Sequence, residues 1–80
     1  MPSKEITLDE WMTENRWTNV SAAEEISRIM TQRAGDDGPK SVTHGQIRMV
    51  RHKLRKPSAD LAMAIYEFVG KEVSLDSLLS

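Results

Sequence analysis

The chain has 80 residues, no cysteine and a formal net charge of -1. Its length suits one small domain, residues 1–80, and the lack of cysteine excludes a disulfide framework and a thiolate metal site. No apolar run is long enough to span a membrane, and the N-terminal sequence has no hydrophobic signal core, so we expect a cytoplasmic protein.

The charged residues are segregated along the chain. Residues 38–59 contain six Lys or Arg and no Asp or Glu, whereas acidic residues outnumber basic ones on both sides of this block. A local basic surface can bind a polyanion whatever the net charge of the protein. A solvated helix face that balances its neighbours would show the same composition, and charge alone does not separate the two interpretations.

A capping-box pattern near the N-terminus predicts the first helix. Thr7 is followed three residues later by Glu10, so the hydroxyl and the carboxylate can each accept a backbone N–H. We expect the helix to run from Leu8 to about Arg16, with Trp11 on its buried face.

The same pattern recurs at Ser21 and Glu24 and predicts a second helix with Ser21 as its N-cap. This helix should end near Ala34, because Gly35 suits the left-handed position that follows a helix. The next residues, GDDGPK, include two Gly, one Pro and two Asp and predict a loop. The two aspartates lack the spacing of an EF-hand loop, so we expect no metal ion there.

A third helix is predicted over residues 43–54, with Thr43 as N-cap and Gln46 completing the capping box. Ile47, Val50 and Leu54 recur at helical spacing and should form its buried stripe. The helix must end before the proline at position 57, because the preceding residue is driven out of the helical region. The opposite side of this helix carries Gly45, Arg48, Met49 and His52.

Two further helices complete the predicted fold. Ser58 is the expected N-cap of the fourth helix, and Ser74 that of a short fifth helix. Its leucines, Leu75, Leu78 and Leu79, either pack inward or meet a second subunit, and we expect them to face inward. The apolar face of the fourth helix should consist of Leu61, Ala62, Ile65, Phe68 and Val69. We therefore expect an all-α fold, a compact bundle of about five short helices.

The second and third helices have the layout of a helix-turn-helix unit, at about residues 21–55. In such a unit the second helix lies in the major groove and its N-terminal residues contact base edges. A guanidinium fork pairs with guanine, an amide with adenine, and an apolar side chain with the thymine methyl. The predicted base-reading residues are Arg48, Gln46, Met49 and His44. The predicted phosphate contacts are Arg51, Lys53, Arg55 and Lys56, together with Lys40 and His52.

Gly45 falls in the first turn of the third helix. A glycine there costs about 0.5–1 kcal/mol relative to alanine. Two interpretations are open. Either the position tolerates glycine, or the missing side chain lets the start of the helix approach DNA closely, with backbone N–H groups near a phosphate. The neighbouring arginines favour the second interpretation.

The sequence VTHGQIRMVRHKLRKPSADLAMAIYEFVGKEVSLDSL resembles the second half of lambda-repressor-like helix-turn-helix domains of the Cro/XRE type. The matching features are the Val-Thr pair at its start, the apolar residues Ile47 and Val50, the Pro57-Ser58 pair and the EVSLDSL segment at its end. Residues 42–79 match well and residues 6–30 only loosely. The resemblance implies a transcriptional regulator, a repressor of the phage or mobile-element type, that binds a double-stranded DNA operator as a homodimer.

By position, the resemblance implies base-facing roles for His44, Gly45, Gln46, Arg48 and Met49. It implies DNA-backbone contacts for Thr43, Arg55 and Lys56. Two features depart from the family: the GDDGPKS connection is longer than its usual tight turn, and Ala23 stands where a glutamine often touches phosphate. The longer connection puts the angle between the second and third helices in question.

An interaction protein on the same fold, such as an antitoxin or inhibitor with a protein target, is the alternative interpretation. The long connection before the third helix favours it. No nucleophile motif accompanies the Ser, His and Asp residues, so we expect no enzymatic activity and no cofactor. His44 and His52 lack a nearby Cys or Glu partner, so we expect no metal site.

Overall fold

The computed structural model describes residues 6–79, which form five α-helices and one short 3-10 helix, without a β-strand. The predicted all-α class is therefore confirmed for this part of the chain. The helices are α1 (Leu8–Glu14), α2 (Asn19–Ala34), α3 (His44–Arg51), α4 (Ala59–Phe68) and α5 (Leu75–Leu79), and the 3-10 helix (Gly35–Asp37) follows α2 directly.

One hydrophobic core joins all five helices. The longest helix, α2, packs against both α3 and α4, and α5 packs against α4. Complete burial of one large apolar side chain stabilises a fold by about 1.5–3 kcal/mol, so a short helix needs only a few such residues to dock. The fully buried large side chains come from every part of the bundle: Met12, Ile26, Ile47, Ile65, Val69 and Val73.

An aromatic cluster holds α1 against the end of α4. The ring of Phe68 makes edge-to-face contacts with Trp11 and Trp17, at centroid distances of 5.2 and 4.7 Å. The indole Nε1 of Trp11 donates a hydrogen bond of 2.7 Å to Oε2 of Glu72. Because the polar end of this buried indole is satisfied, the side chain can contribute its full apolar area to the core.

The predicted start of α1 is confirmed and that of α2 is wrong. Thr7 and Glu10 form the expected capping box. The N-cap of α2, however, is Thr18, whose Oγ1 accepts a hydrogen bond of 3.0 Å from the backbone N–H of Ser21. Ser21 takes the place of the usual glutamate, because its own hydroxyl accepts the N–H of Thr18 at 3.1 Å.

The third helix is shorter than predicted and ends at Arg51. Lys53 adopts a left-handed conformation with φ of 57°, and its N–H donates to the carbonyl of Val50 at 3.1 Å. The N–H of Leu54 donates to the carbonyl of Met49 at 2.8 Å, which completes a Schellman motif. Leu54 is consequently 62% exposed, and its predicted place in the buried stripe is wrong.

The first helix ends in the same way. Arg16 is left-handed, with φ of 60°, and the N–H of Trp17 donates to the carbonyl of Met12 at 2.8 Å. Helix α1 therefore stops at Glu14, two residues before the predicted end.

The last two helices begin at their predicted caps. The hydroxyl of Ser58 accepts the N–H of Leu61 at 3.3 Å, and that of Ser74 accepts the N–H of Ser77 at 3.1 Å. Leu78 is buried as expected, whereas Leu79 is 45% exposed, so the prediction that it faces inward is wrong. Helix α5 has one turn only and cannot turn every leucine toward α4.

Candidate nucleic-acid interface

Helix α3 is held on the core by one face and capped as predicted. Ile47 and Val50 are buried. At its start, Thr43 Oγ1 accepts the N–H of Gln46 at 3.2 Å, and Gln46 Oε1 accepts the N–H of Thr43 at 2.9 Å. These reciprocal bonds satisfy two backbone donors at the helix terminus and fix where the helix begins.

The connection between α2 and α3 is fastened to α2 by two side-chain hydroxyls. Ser27 Oγ accepts the N–H of Val42 at 2.9 Å and donates to its carbonyl at 3.3 Å. Thr31 Oγ1 makes the same pair of bonds with the backbone of Lys40, at 3.0 and 2.9 Å. Because Ser27 and Thr31 are four residues apart, they lie on one face of α2 and hold the extended segment along it.

The outward side of α3 presents the predicted base-reading residues. His44 and Arg48 are exposed, and Gly45 and Met49 are half-buried. The side chain of Arg48 forms no ion pair or hydrogen bond with any other residue in the range 6–79. Its guanidinium is therefore available to a partner.

The fold itself does not require glycine at position 45. The residue lies outside the left-handed region, and a Cβ added to it would meet only Thr43 Oγ1, at 3.8 Å. That distance is an ordinary van der Waals contact. An alanine would fit the first turn of α3 without displacing a neighbour.

The position of Gln46 limits its predicted role. A bidentate contact with adenine needs both the oxygen and the nitrogen of the amide. Oε1 of Gln46 already accepts hydrogen bonds from the backbone N–H and the hydroxyl of Thr43, at 2.9 and 3.4 Å. A full adenine contact by this side chain would break the bond from Thr43 N–H to Gln46 Oε1, which is one of the two reciprocal bonds of the capping box.

Two of the predicted phosphate-binding cations form ion pairs inside the fold. Arg51 is only 13% exposed in its side chain, and its Nε donates to Oδ1 of Asp9 at 2.9 Å. Its two terminal nitrogens donate to Asn19 Oδ1 at 2.9 Å and to Thr13 Oγ1 at 3.4 Å. Lys40 Nζ lies 3.7 Å from Oδ2 of Asp60. Both charges are paired within the fold, and each is therefore less available to a phosphate than an unpaired exposed cation.

The other cations lie beyond the end of α3. Lys53 Nζ donates to the carbonyl of Ser77 at 3.1 Å. Arg55 and Lys56 are exposed and, among the described residues, form no ion pair. They line a shallow groove with Gln46 and with Ser58 at the start of α4. His52, the C-cap of α3, is also exposed.

Glu24, which was predicted to take part in the cap of α2, lies beside the start of α3. Glu24 is exposed and lines an open groove of about 490 Å³ between α2 and the start of α3. The next residue, Glu25, forms an ion pair with Arg28, and the hydrogen bond from that guanidinium lowers the pKa of Glu25. The groove is lined by Val20, Ala23, Glu24, Ser27, Val42, Thr43 and His44.

The described part of the chain brings together no group of three or more His, Cys, Asp or Glu side chains that could hold a metal ion. Nor does it contain a helix long and apolar enough to cross a membrane. Comparisons of the chain with protein-family models, curated proteins and solved structures found no match.

Proposed function

We propose that this protein is a sequence-specific, double-stranded DNA-binding transcriptional regulator that inserts α3 into the major groove. The observation that supports the proposal best is Arg48. It is an exposed guanidinium without an internal partner, on the side of α3 that faces away from Ile47 and Val50. A helix held by one face, with a cation in the middle of the other, suits a major-groove reader.

The outward residues of α3 would each make a different contact with the DNA. Arg48 has the planar fork that pairs with O6 and N7 of guanine. Met49 would contact a thymine methyl, and His44, at the N-terminal end, would hydrogen-bond a base edge. Gly45 would allow the backbone of the first turn to approach the DNA.

The cations after α3 would bind phosphates. Arg55 and Lys56 are exposed on the segment between α3 and α4, and Thr43 and His52 flank α3 at its two ends. Phosphate contacts position a protein on the duplex and make its affinity depend strongly on salt. Ion pairing of Arg51 and Lys40 within the fold leaves fewer such contacts than the six cations of residues 38–59 suggest.

We further propose that the protein is a Cro-like repressor of a phage or mobile element and acts as a homodimer. Two copies of α3 would then contact half-sites one helical turn apart, about 34 Å. The resemblance to Cro-type domains is the basis for this part of the proposal.

Selection from a random duplex library with the purified protein tests the proposal. We expect an enriched sequence with palindromic half-sites, and an affinity for it that falls steeply as salt concentration rises. Failure to bind any duplex at low salt would refute the proposed function. An enriched sequence without a palindrome would refute the homodimer only.

A second candidate is an interaction protein on the same fold, an antitoxin or inhibitor with a protein target. It is favoured by the connection over residues 35–43, which is nine residues long and is bonded to α2 through the backbone of Lys40 and Val42. A stoichiometric partner that co-purifies with the wild type and is lost on substitution of the exposed residues Asp36 and Pro39 would support it. Operator binding by the same variant would show that the two roles are separate.

A further inference from the structure

We propose that Glu24 raises the sequence specificity of the DNA-binding surface on the outward side of α3. Its carboxylate would weaken binding to DNA whose bases do not match the operator. The inference rests on the proposed function. In a correctly read site, the carboxylate would accept a hydrogen bond from the amino group of a base, most simply N4 of cytosine. In every other register it would lie near the phosphate backbone and repel it.

The position of Glu24 is the first argument. It lies in the N-terminal half of α2, and the groove that it lines continues to Thr43 and His44 at the start of α3. The floor of the groove includes Ala23 and Val42, which are both buried. A duplex whose major groove holds the outward side of α3 would bring its edge over this groove.

The freedom of the carboxylate is the second argument. Glu24 forms no ion pair with any residue that the structure describes, whereas the neighbouring Glu25 is paired with Arg28. The charge of Glu24 is therefore not neutralised by the fold. It is an uncompensated negative charge in a groove whose other lining residues are apolar or polar and carry no negative charge.

The size of the effect follows from Coulomb's law. One carboxylate close to a phosphate, in a medium between protein surface and water, lowers affinity by about threefold to tenfold. A hydrogen bond to the correct base offsets this loss at the operator only. The carboxylate would therefore lower affinity for random DNA more than affinity for the operator, and so raise the ratio between them.

The experiment compares Glu24→Gln with Glu14→Gln. Both substitutions remove one negative charge and keep the side-chain size. Glu14 is exposed at the end of α1 and, in the described range, likewise has no ion pair. Dissociation constants would be measured at about 0.1 M salt, where the Debye length is about 10 Å. The selected operator and a random duplex of equal length would be compared, after thermal unfolding has shown that both variants fold.

We expect Glu24→Gln to bind random DNA about threefold to tenfold more tightly than the wild type. Its affinity for the operator should rise less or fall, so that the ratio of the two affinities drops at least threefold. Glu14→Gln should change both affinities by less than about twofold, because α1 supplies none of the proposed DNA contacts and more distant exposed charges are largely screened at this salt concentration.

Two results would overturn the inference about Glu24 and leave the proposed function intact. One is a Glu24→Gln variant that matches Glu14→Gln on both duplexes. The other is an equal gain on operator and random DNA, which would make the residue a general repulsive charge without a role in specificity. Absence of duplex binding by the wild type would instead refute the proposed function, and this inference with it.

Discussion

Arg51 in α3 and Asp9 in α1 form an ion pair, with 2.9 Å between Nε and Oδ1. The two residues are 42 positions apart in sequence, and their contact joins the two helices. The same guanidinium also donates to Asn19 and Thr13. Each of its three nitrogens thus has a partner on α1 or at the start of α2. Arg51 therefore orients the C-terminal end of α3 relative to both helices.

Substitution of Arg51 should destabilise the protein. Arg51→Ala removes hydrogen bonds that involve a charged donor, and we expect the free energy of unfolding to fall by about 1–3 kcal/mol. Arg51→Lys should also destabilise, because an ammonium cannot reproduce the planar fork that reaches three acceptors. Urea unfolding measures both losses. Lys56→Ala, on an exposed cation, is the matched control and should stay within about 0.5 kcal/mol of the wild type.

Arg48→Ala should reduce DNA affinity and relax sequence preference. A bidentate contact with guanine contributes about 1–3 kcal/mol of discrimination, and the loss should fall on one position of the operator. Fluorescence anisotropy with the operator and single-position variants would measure it. Lys56→Ala should instead weaken binding to all sequences alike and reduce the slope against salt by about one. Equal losses on operator and random DNA for Arg48→Ala would exclude a base-reading role.

Gly45→Ala should raise the stability of the protein and weaken its binding to the operator. Alanine fits the site without a clash and is the better helix former, so the free energy of unfolding should rise by about 0.5–1 kcal/mol. If the first turn of α3 lies close to DNA, the added methyl group should weaken operator binding at the same time. Chemical denaturation and binding assays on one preparation test both effects. A stabilised variant with wild-type affinity would show that the glycine has no role in binding.

Ser27→Ala should loosen the connection before α3. The substitution leaves the backbone N–H and carbonyl of Val42 without their partner, and we expect a loss of about 1–3 kcal/mol. Hydrogen exchange at the Val42 amide should accelerate more than at the Ile47 amide, which is bonded within the helical backbone. Ser41→Ala, at an exposed position in the same segment, is the control. Unchanged exchange at Val42 in Ser27→Ala would show that the hydroxyl does not hold the connection.

The helix starts were largely predictable because an N-cap and its partner lie within three residues of each other. Thr7, Thr43 and Ser58 cap the helices as their local sequence indicates. The start of α2 is the exception. Two capping residues, Thr18 and Ser21, stand at the required spacing, and the pattern with Glu24 favoured the later one. Local sequence does not decide between two such overlapping caps.

The helix ends were less predictable, and so was which cations are paired within the fold. Lys53 and Arg16 occupy left-handed positions that glycine usually fills, at a cost of about 1–2 kcal/mol, so no glycine marks the ends of α3 and α1. The basic block correctly located the exposed cations Arg48, Arg55 and Lys56. It could not show that Arg51 pairs with a residue 42 positions away, because only the folded chain brings the two together.

Helix α3 is fixed at both ends, by the two hydroxyls of α2 before it and by the guanidinium of Arg51 after it. Ordering of this backbone takes place when the chain folds, so it adds little to the entropy cost of association. A partner would meet a preorganised surface on which only long side chains such as Arg48 must lose rotamer freedom. Affinity and selectivity would then follow from the identity of a few outward side chains, and exchange of those residues could redirect recognition while the helix keeps its place.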